Sequence, residues 1–262
     1  MKYCSLFSGS SGNSQYIKVN NTAILIDCGM SGKKIANAVN SVGENLDDVK
    51  AIFVTHEHSD HIQAAGIMSR RLKIPIYATE GTWGAMEKSI GKIAPENIQI
   101  IESGIGNEID DLFVESFDIS HDAAQPVGFK MFHADKKISV MTDTGYVSDA
   151  MKMHLKNSDL IMIESNHDED MLMVGPYPPT LKKRVLGKKG HLSNNIAGDT
   201  LAELLHKGNE IVLLGHLSED NNIPMLAYKT VAEILENKGI KMEFDVKLNL
   251  TFRERSTKVF EV

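Results

Sequence analysis

The chain has 262 residues, 42% apolar and 24% charged, with 28 Lys and Arg against 35 Asp and Glu for a formal net charge of −7. These proportions describe a folded globular chain and exclude disordered and fibrous classes. The acidic balance excludes a globally basic nucleic-acid wrapper, though not a local basic patch. No apolar run approaches the ~20 residues a membrane span needs, and the N-terminal residues lack a signal-peptide pattern. Cys4 and Cys28 are expected to stay reduced, in keeping with a cytoplasmic protein. With no Pro/Gly-rich linker, residues 1–262 are expected to form a single domain.

The chain-order pattern is one of short apolar strands with helices between them. Tyr3–Phe7 reads as a strand and runs into a small-residue loop, Ser8 to Ser14. Gln15–Val19 and Ala23–Ile26 read as a hairpin closed by Asn20-Asn21. Ser31 is suited to cap a helix with Ile35, Ala38, Val39 and Val42 on one face, stopped by Gly43. Ala51–Val54 is a buried-type strand, followed by a helix-like stretch, Ile62–Leu72. Further strands are expected at Pro75–Ala78, Ile98–Ile101, Leu112–Phe117, Val127–His133 and Ile138–Met141. The second half gives strands Leu160–Ile163 and Ile211–Leu214 and helices Asn194–His206 and Pro224–Asn237. This order predicts an α/β chain with two sheets face to face and helices outside.

Between the strand Ala51–Val54 and its following helix lies Thr55-His56-Glu57-His58-Ser59-Asp60-His61. Imidazole and carboxylate are good ligands for zinc and neighbouring metals. In extended chain, residues two apart point the same way, so His56 and His58 can grip one ion. The turn into the helix presents Asp60 and His61 to a second point. Further ligands must come from other strand ends. Asp27, His121, Asp143 and His216 each close an apolar run, where a loop can carry a polar side chain into a cleft.

With these residues in place, the chain resembles the metallo-β-lactamase superfamily, whose ordered motifs match Asp27, His56-x-His58-x-Asp60-His61, His121, Asp143 and His216. The resemblance covers nearly the whole chain and implies a four-layer αββα sandwich with the site at one edge. It also implies a ligand scheme: His56, His58 and His121 on one divalent ion, Asp60, His61 and His216 on a second, Asp143 bridging, and Asp27 orienting a ligand. Zinc and manganese suit such a set, and iron is compatible. Two cations sharing one water lower its pKa towards neutrality, so the bridging hydroxide is the implied nucleophile. Asp60 is then placed to accept a proton or hydrogen-bond that hydroxide.

Local details narrow the branch. Position 58 is His, where di-iron redox members carry Glu. Ser120-His121-Asp122 followed by Val127-Gly128-Phe129 is closer to the ribonuclease Z type than to glyoxalases. Gly215-His216-Leu217-Ser218 is similar to the phosphodiesterase branch. The interval from Asp143 to His216 is too short for the large inserted domain of RNase J-type nucleases. Leu6-Phe7-Ser8-Gly9-Ser10-Ser11-Gly12-Asn13-Ser14, Glu164-Ser165-Asn166-His167-Asp168 and Gly190-His191-Leu192-Ser193-Asn194 resemble the YycJ (WalJ) family. That resemblance implies 5′-to-3′ exonuclease action on DNA and a role in repair. A ribonuclease of the same fold and a small-molecule ester, thioester or lactam hydrolase are the alternatives, and a scaffold protein that kept the fold is the non-enzymatic one.

Independently, Lys182 to Lys189 holds five cations in an otherwise acidic chain. Pro176, Pro178 and Pro179 precede it and suggest a stiff excursion. Lys183, Arg184, Lys188 and Lys189 are therefore expected to grip phosphate, fixing register rather than reading sequence. His191 ends the run and is expected to serve catalysis, touching phosphate or protonating the leaving oxygen. Asn166 and His167 are further candidate substrate contacts.

Overall fold

The computed structural model describes residues 1–206 and 208–262. Its first elements are β1 (Lys2–Phe7), β2 (Ser14–Val19), β3 (Thr22–Ile26), α1 (Gly32–Ser41), β4 (Val49–Phe53), α2 (Ser59–Ile62), α3 (Ala65–Leu72), β5 (Ile76–Thr79), α4 (Glu80–Ile90) and β6 (Ile98–Ile101). Then follow β7 (Gly106–Ile109), β8 (Leu112–Asp118), β9 (Val127–His133), β10 (Lys136–Met141), α5 (Asp149–Leu155), β11 (Leu160–Glu164), α6 (Glu169–Val174) and α7 (Pro179–Val185). The last are α8 (Asn194–Leu204), β12 (Glu210–Gly215), α9 (Pro224–Asn237), β13 (Val246–Leu250) and β14 (Phe260–Glu261). The strands form two mixed seven-stranded sheets, ordered β14-β1-β2-β3-β4-β5-β6 and β13-β12-β11-β10-β9-β8-β7. Among the described residues, no helix is long and apolar enough to cross a membrane.

The chain packs as two compact units. The first comprises residues 1–118, 123–136 and 252–262. Its hairpin turn is the expected one: Asn20 adopts φ +51°, a conformation Asn tolerates better than most residues, and β2 pairs antiparallel with β3. From β3 to β6 the pairing is parallel. This is why β3 and β4 read as continuous apolar runs rather than alternating ones. Ser31 caps α1 by accepting from the Lys34 N–H. Leu25, Ile35, Val39, Ile52, Met68, Ile76 and Trp83 belong to one buried apolar cluster under α1, α3 and α4. The ring of Phe53 on β4 packs edge-on against Phe129 on β9, 5.5 Å between centroids, so the two sheets meet face to face within this unit.

The second unit comprises residues 119–122 and 137–251. Strands β10 to β13 are parallel, and β11 and β12 are buried along their whole length. A Cβ on Gly198 would stand 2.7 Å from the Ile234 side chain, so glycine is what lets α8 and α9 approach this closely. Cys4 lies in the first unit with Cys28; both are buried free thiols.

Two expectations need correction. The stretch Ile62–Leu72 is not one helix. The Ala64 N–H bonds to the Cys28 carbonyl and the Asp60 carbonyl accepts from Asn13, so loop partners replace the i→i−4 pair and separate α2 from α3. The basic run is not wholly loop either: its first half is the last turn of α7. Pro179 sits in the first turn, where its fixed φ favours a helix, and Lys182, Lys183 and Arg184 crowd the C-terminal end, where cations suit the helix dipole.

Candidate metal centre

In the first unit the ligand segment runs from the end of β4 into α2. The Asp27 carboxylate beyond β3 organises it. Its Oδ1 accepts from the Thr55 N–H at 2.8 Å, and its Oδ2 accepts from the Thr55 hydroxyl at 2.8 Å and lies 2.7 Å from His61 Nδ1. An ionised carboxylate only accepts, so His61 carries its proton on Nδ1 and presents Nε2 to Asn13 and Asp60. Burial pushes the Asp27 carboxyl upward, and His61 and Thr55 oppose that. Asn13 Nδ2 lies 3.0 Å from His61 Nε2 and 3.3 Å from Asp60 Oδ2. Thr55 Oγ1 is 3.0 Å from His56 Nδ1.

The donor set fits a metal ion. His56 Nε2 and His58 Nδ1 stand 3.1 Å apart, close to the roughly 3.3 Å that two nitrogens span on a tetrahedral zinc. Asp60 Oδ2 lies 3.4 Å from His61 Nε2, a second convergence of the same kind. Gly29 makes this packing possible: a Cβ there would fall 1.6 Å from the Asp60 carbonyl oxygen. The Gly29 N–H instead donates to Asn13 O, and Cys28 N–H donates to His61 O.

In the second unit, Asp143, Glu164, His191 and His216 offer ligand atoms all within 4.8 Å of one another. Asp143 follows β10, Glu164 ends β11 and His216 follows β12, so three parallel neighbours deliver them from one sheet edge. Glu164 Oε1 lies 2.7 Å from His191 Nδ1 and 3.0 Å from His216 Nδ1, while its Oε2 accepts from the Thr144 and Leu192 N–H groups. Burial alone would raise this carboxyl, but His191 and the hydrogen bonds from His191 and His216 hold it down at about 2. Burial works against charge on His191, yet Glu164 and Asp143 outweigh it and lift the imidazole above its usual range. The His121 ring lies 5.2 Å from that of His191, and the His191 ring 5.3 Å from that of His216. His121 Nδ1 is held at Gly190 O, and burial lowers its pKa.

Backbone geometry marks the same positions. Asp27, Asp143 and His216 adopt φ of +62°, +55° and +53°, a region that costs side-chain-bearing residues energy and collects at functional sites.

Of the residues expected to touch substrate, Arg184 makes a two-pronged ion pair with Asp122. Lys183, Lys188 and Lys189 make no ion pair among the described residues. The end of the run is pinned beside His121: Asp122 N–H donates to Lys189 O, and the Ser120 hydroxyl to Lys188 O. Asn166 and His167 are placed differently from the expectation. Asn166 is 5% exposed and spends its amide on the His216 carbonyl. His167 is 1% exposed, with no hydrogen-bond partner at either ring nitrogen. Neither offers surface to a large substrate.

Comparison with known proteins fixes the lineage. Residues 22–217 match the family model of the β-lactamase superfamily domain. The chain is 39% identical over 254 residues to exodeoxyribonuclease YycJ of Bacillus anthracis, covering 97% of this chain and 96% of that one. It is 39% identical over 263 residues to exodeoxyribonuclease WalJ of Streptococcus pneumoniae, covering 100% and 98%. The chain belongs to the YycJ/WalJ family of the metallo-β-lactamase superfamily. The metallo-β-lactamase fold protein YhfI from Bacillus subtilis superposes with a TM-score of 0.72 at 14% identity, over 98% of both chains, which establishes the α/β sandwich. This YycJ/WalJ-family chain is a metal-dependent hydrolase.

Glu164 joins the second unit's candidate cluster, although the sequence placed it only within a family-like run and gave it no role. It ends an apolar strand just as Asp27, Asp143 and His216 follow theirs, so the strand-end criterion could have found it. Asn13 and Thr55 carry no comparable signal, because small polar residues beside a motif are common on any chain.

Proposed function

We propose that this YycJ/WalJ-family protein is a metal-dependent nuclease acting on DNA, removing nucleotides from a 5′ end in a repair setting. In this reading residues 1–262 act as one domain. His56, His58 and His121 would hold one divalent ion, Asp60, His61 and His216 would hold a second, and Asp143 would serve both. Zinc or manganese fits the nitrogen and carboxylate donors, and iron is compatible. When bound, the ions supply an activated water and stabilise negative charge on the phosphate.

The observation that carries the reading is the Glu164–His191 pair, an ionised buried carboxylate 2.7 Å from an imidazole of raised pKa. A phosphodiester leaving group departs as an alkoxide and needs a proton. The raised pKa of His191 favours a proton there, and Glu164 holds Nδ1, which leaves Nε2 as the nitrogen to give it. Asp27 keeps His61 in one tautomer, so that segment need not reorganise during turnover. Asp60 serves as ligand and hydrogen-bond acceptor. Lys183, Lys188 and Lys189 grip backbone phosphates, contributing affinity rather than sequence choice. The names of the full-length relatives support DNA as the polymer.

The test is cleavage of DNA and RNA strands labelled at either end, with Mn²⁺, Zn²⁺ or Mg²⁺. Loss of mononucleotides from the 5′ end of DNA is expected. Turnover of lactams or thioesters with no nucleic acid cut would overturn the reading, and preferred cutting of RNA would reassign the polymer. Lys188→Glu with Lys189→Glu is expected to weaken action on long DNA and lower its salt dependence by about two units of slope, while sparing bis(p-nitrophenyl) phosphate.

A further inference from the structure

Helices α6 and α7 form a short arm in the second unit whose apolar turn none of the above uses. At its turn, Val174 is 86% exposed and Met173 60%, and Leu186 beyond α7 is 48% exposed. Water contact at two adjacent large apolar side chains is unfavourable by an amount that grows with their area. The turn is stiff: Pro176, Pro178 and Pro179 follow it, and a Cβ on Gly175 would stand 2.6 Å from Met171 O. Lys182 Nζ donates to Met173 O at 2.6 Å, tying the apolar tip to the cationic helix. Lys183 lies in the last turn of α7 and Lys188 and Lys189 follow that helix in the chain, whereas Glu169 and Asp170 occupy the first turn of α6.

We propose that Met173 and Val174 are a wedge that stacks on, and parts, the terminal base pair of a duplex whose phosphates the arm's lysines hold. This rests on the nucleic-acid reading above. Charge complementarity selects the occupant. Phosphates draw the lysines, and what a duplex end presents next to its phosphates is an apolar base face. Proteins that open or kink duplexes insert apolar side chains of this kind between base steps.

The test uses a duplex with 2-aminopurine in its 5′-terminal pair and protein held in EDTA, so that binding is read without cleavage. Saturating protein is expected to raise the fluorescence severalfold. Met173→Ser with Val174→Ser is expected to abolish most of that rise and to lower the rate on blunt duplex about 5- to 100-fold relative to single strand. Hydrolysis of bis(p-nitrophenyl) phosphate with Mn²⁺ should stay within about twofold, since the tip is solvent-exposed and carries no fold. Met173→Leu with Val174→Ile should behave as the parent. A parent protein that cuts DNA without raising the fluorescence overturns the wedge alone, as does an equal loss on duplex and single strand. A serine variant that instead changes the sedimentation of the free protein marks the tip as a protein interface and also overturns it. Failure of the parent to cut either DNA or the small diester overturns the function on which the wedge rests.

Discussion

At the scale of single residues, Glu164 is the principal counter-charge of His191. Its oxygens meet two imidazole Nδ1 atoms and two backbone N–H groups. Glu164→Gln removes the charge opposite His191 while keeping the shape. The expected result is a kcat lower by about 10²-fold or more with KM little changed. The pH profile gives the finer check. A proton donor is competent below its pKa and fails as pH rises through it. Glu164 and Asp143 lift His191 against the effect of burial, so loss of the Glu164 charge lowers that value. The alkaline limb of kcat should therefore move to lower pH in the variant, and an unmoved limb would remove His191 from the proton-donor role.

At the scale of elements, apolar runs made the strands legible, because parallel strands buried on both faces leave an unbroken aliphatic signature. The helices missed were those whose apolar face is thin. Helix α4 contains Gly81 and Gly84 and is tied down by Trp83, which donates to Gln99 O. Helices α5, α6 and α7 have six or seven residues each, too few to show a period. The loops around β3 and α2 show how an element's place can hang on one small residue. Gly29 lets the loop ending at Asn13 cross the Asp60 carbonyl, with a Cβ clearance of 1.6 Å. Gly29→Ala must push these loops apart, and a destabilisation of about 3 kcal/mol is expected, measured by urea unfolding. Divalent-metal affinity should fall with it, because His61 and Asp60 move with the displaced backbone. A variant with unchanged stability would mean that the loops relax freely.

At the scale of the molecule, the candidate donors stood out early because imidazole and carboxylate at strand ends are rare by chance, whereas Glu164 was obscured by the polar run in which it sits. A native state that binds ions gains stability from them, about 2.7 kcal/mol at a hundredfold excess over Kd. Zinc or manganese should therefore raise Tm in calorimetry, EDTA should reverse the gain, and His58→Ala should shrink it. The left-handed backbone at Asp143 leads to a last expectation. Its carboxylate lies beside the Glu164 charge, a repulsion that opposes ionisation of Glu164. Asp143→Gly relieves the dihedral cost and the repulsion together and gives up the carboxylate's contact with His216, 3.1 Å away, so in chelator the variant should melt no lower than its parent while turning over nothing. Directed evolution scored on heat tolerance alone would then retain inert enzymes, and any such campaign on this scaffold needs an activity gate at every round.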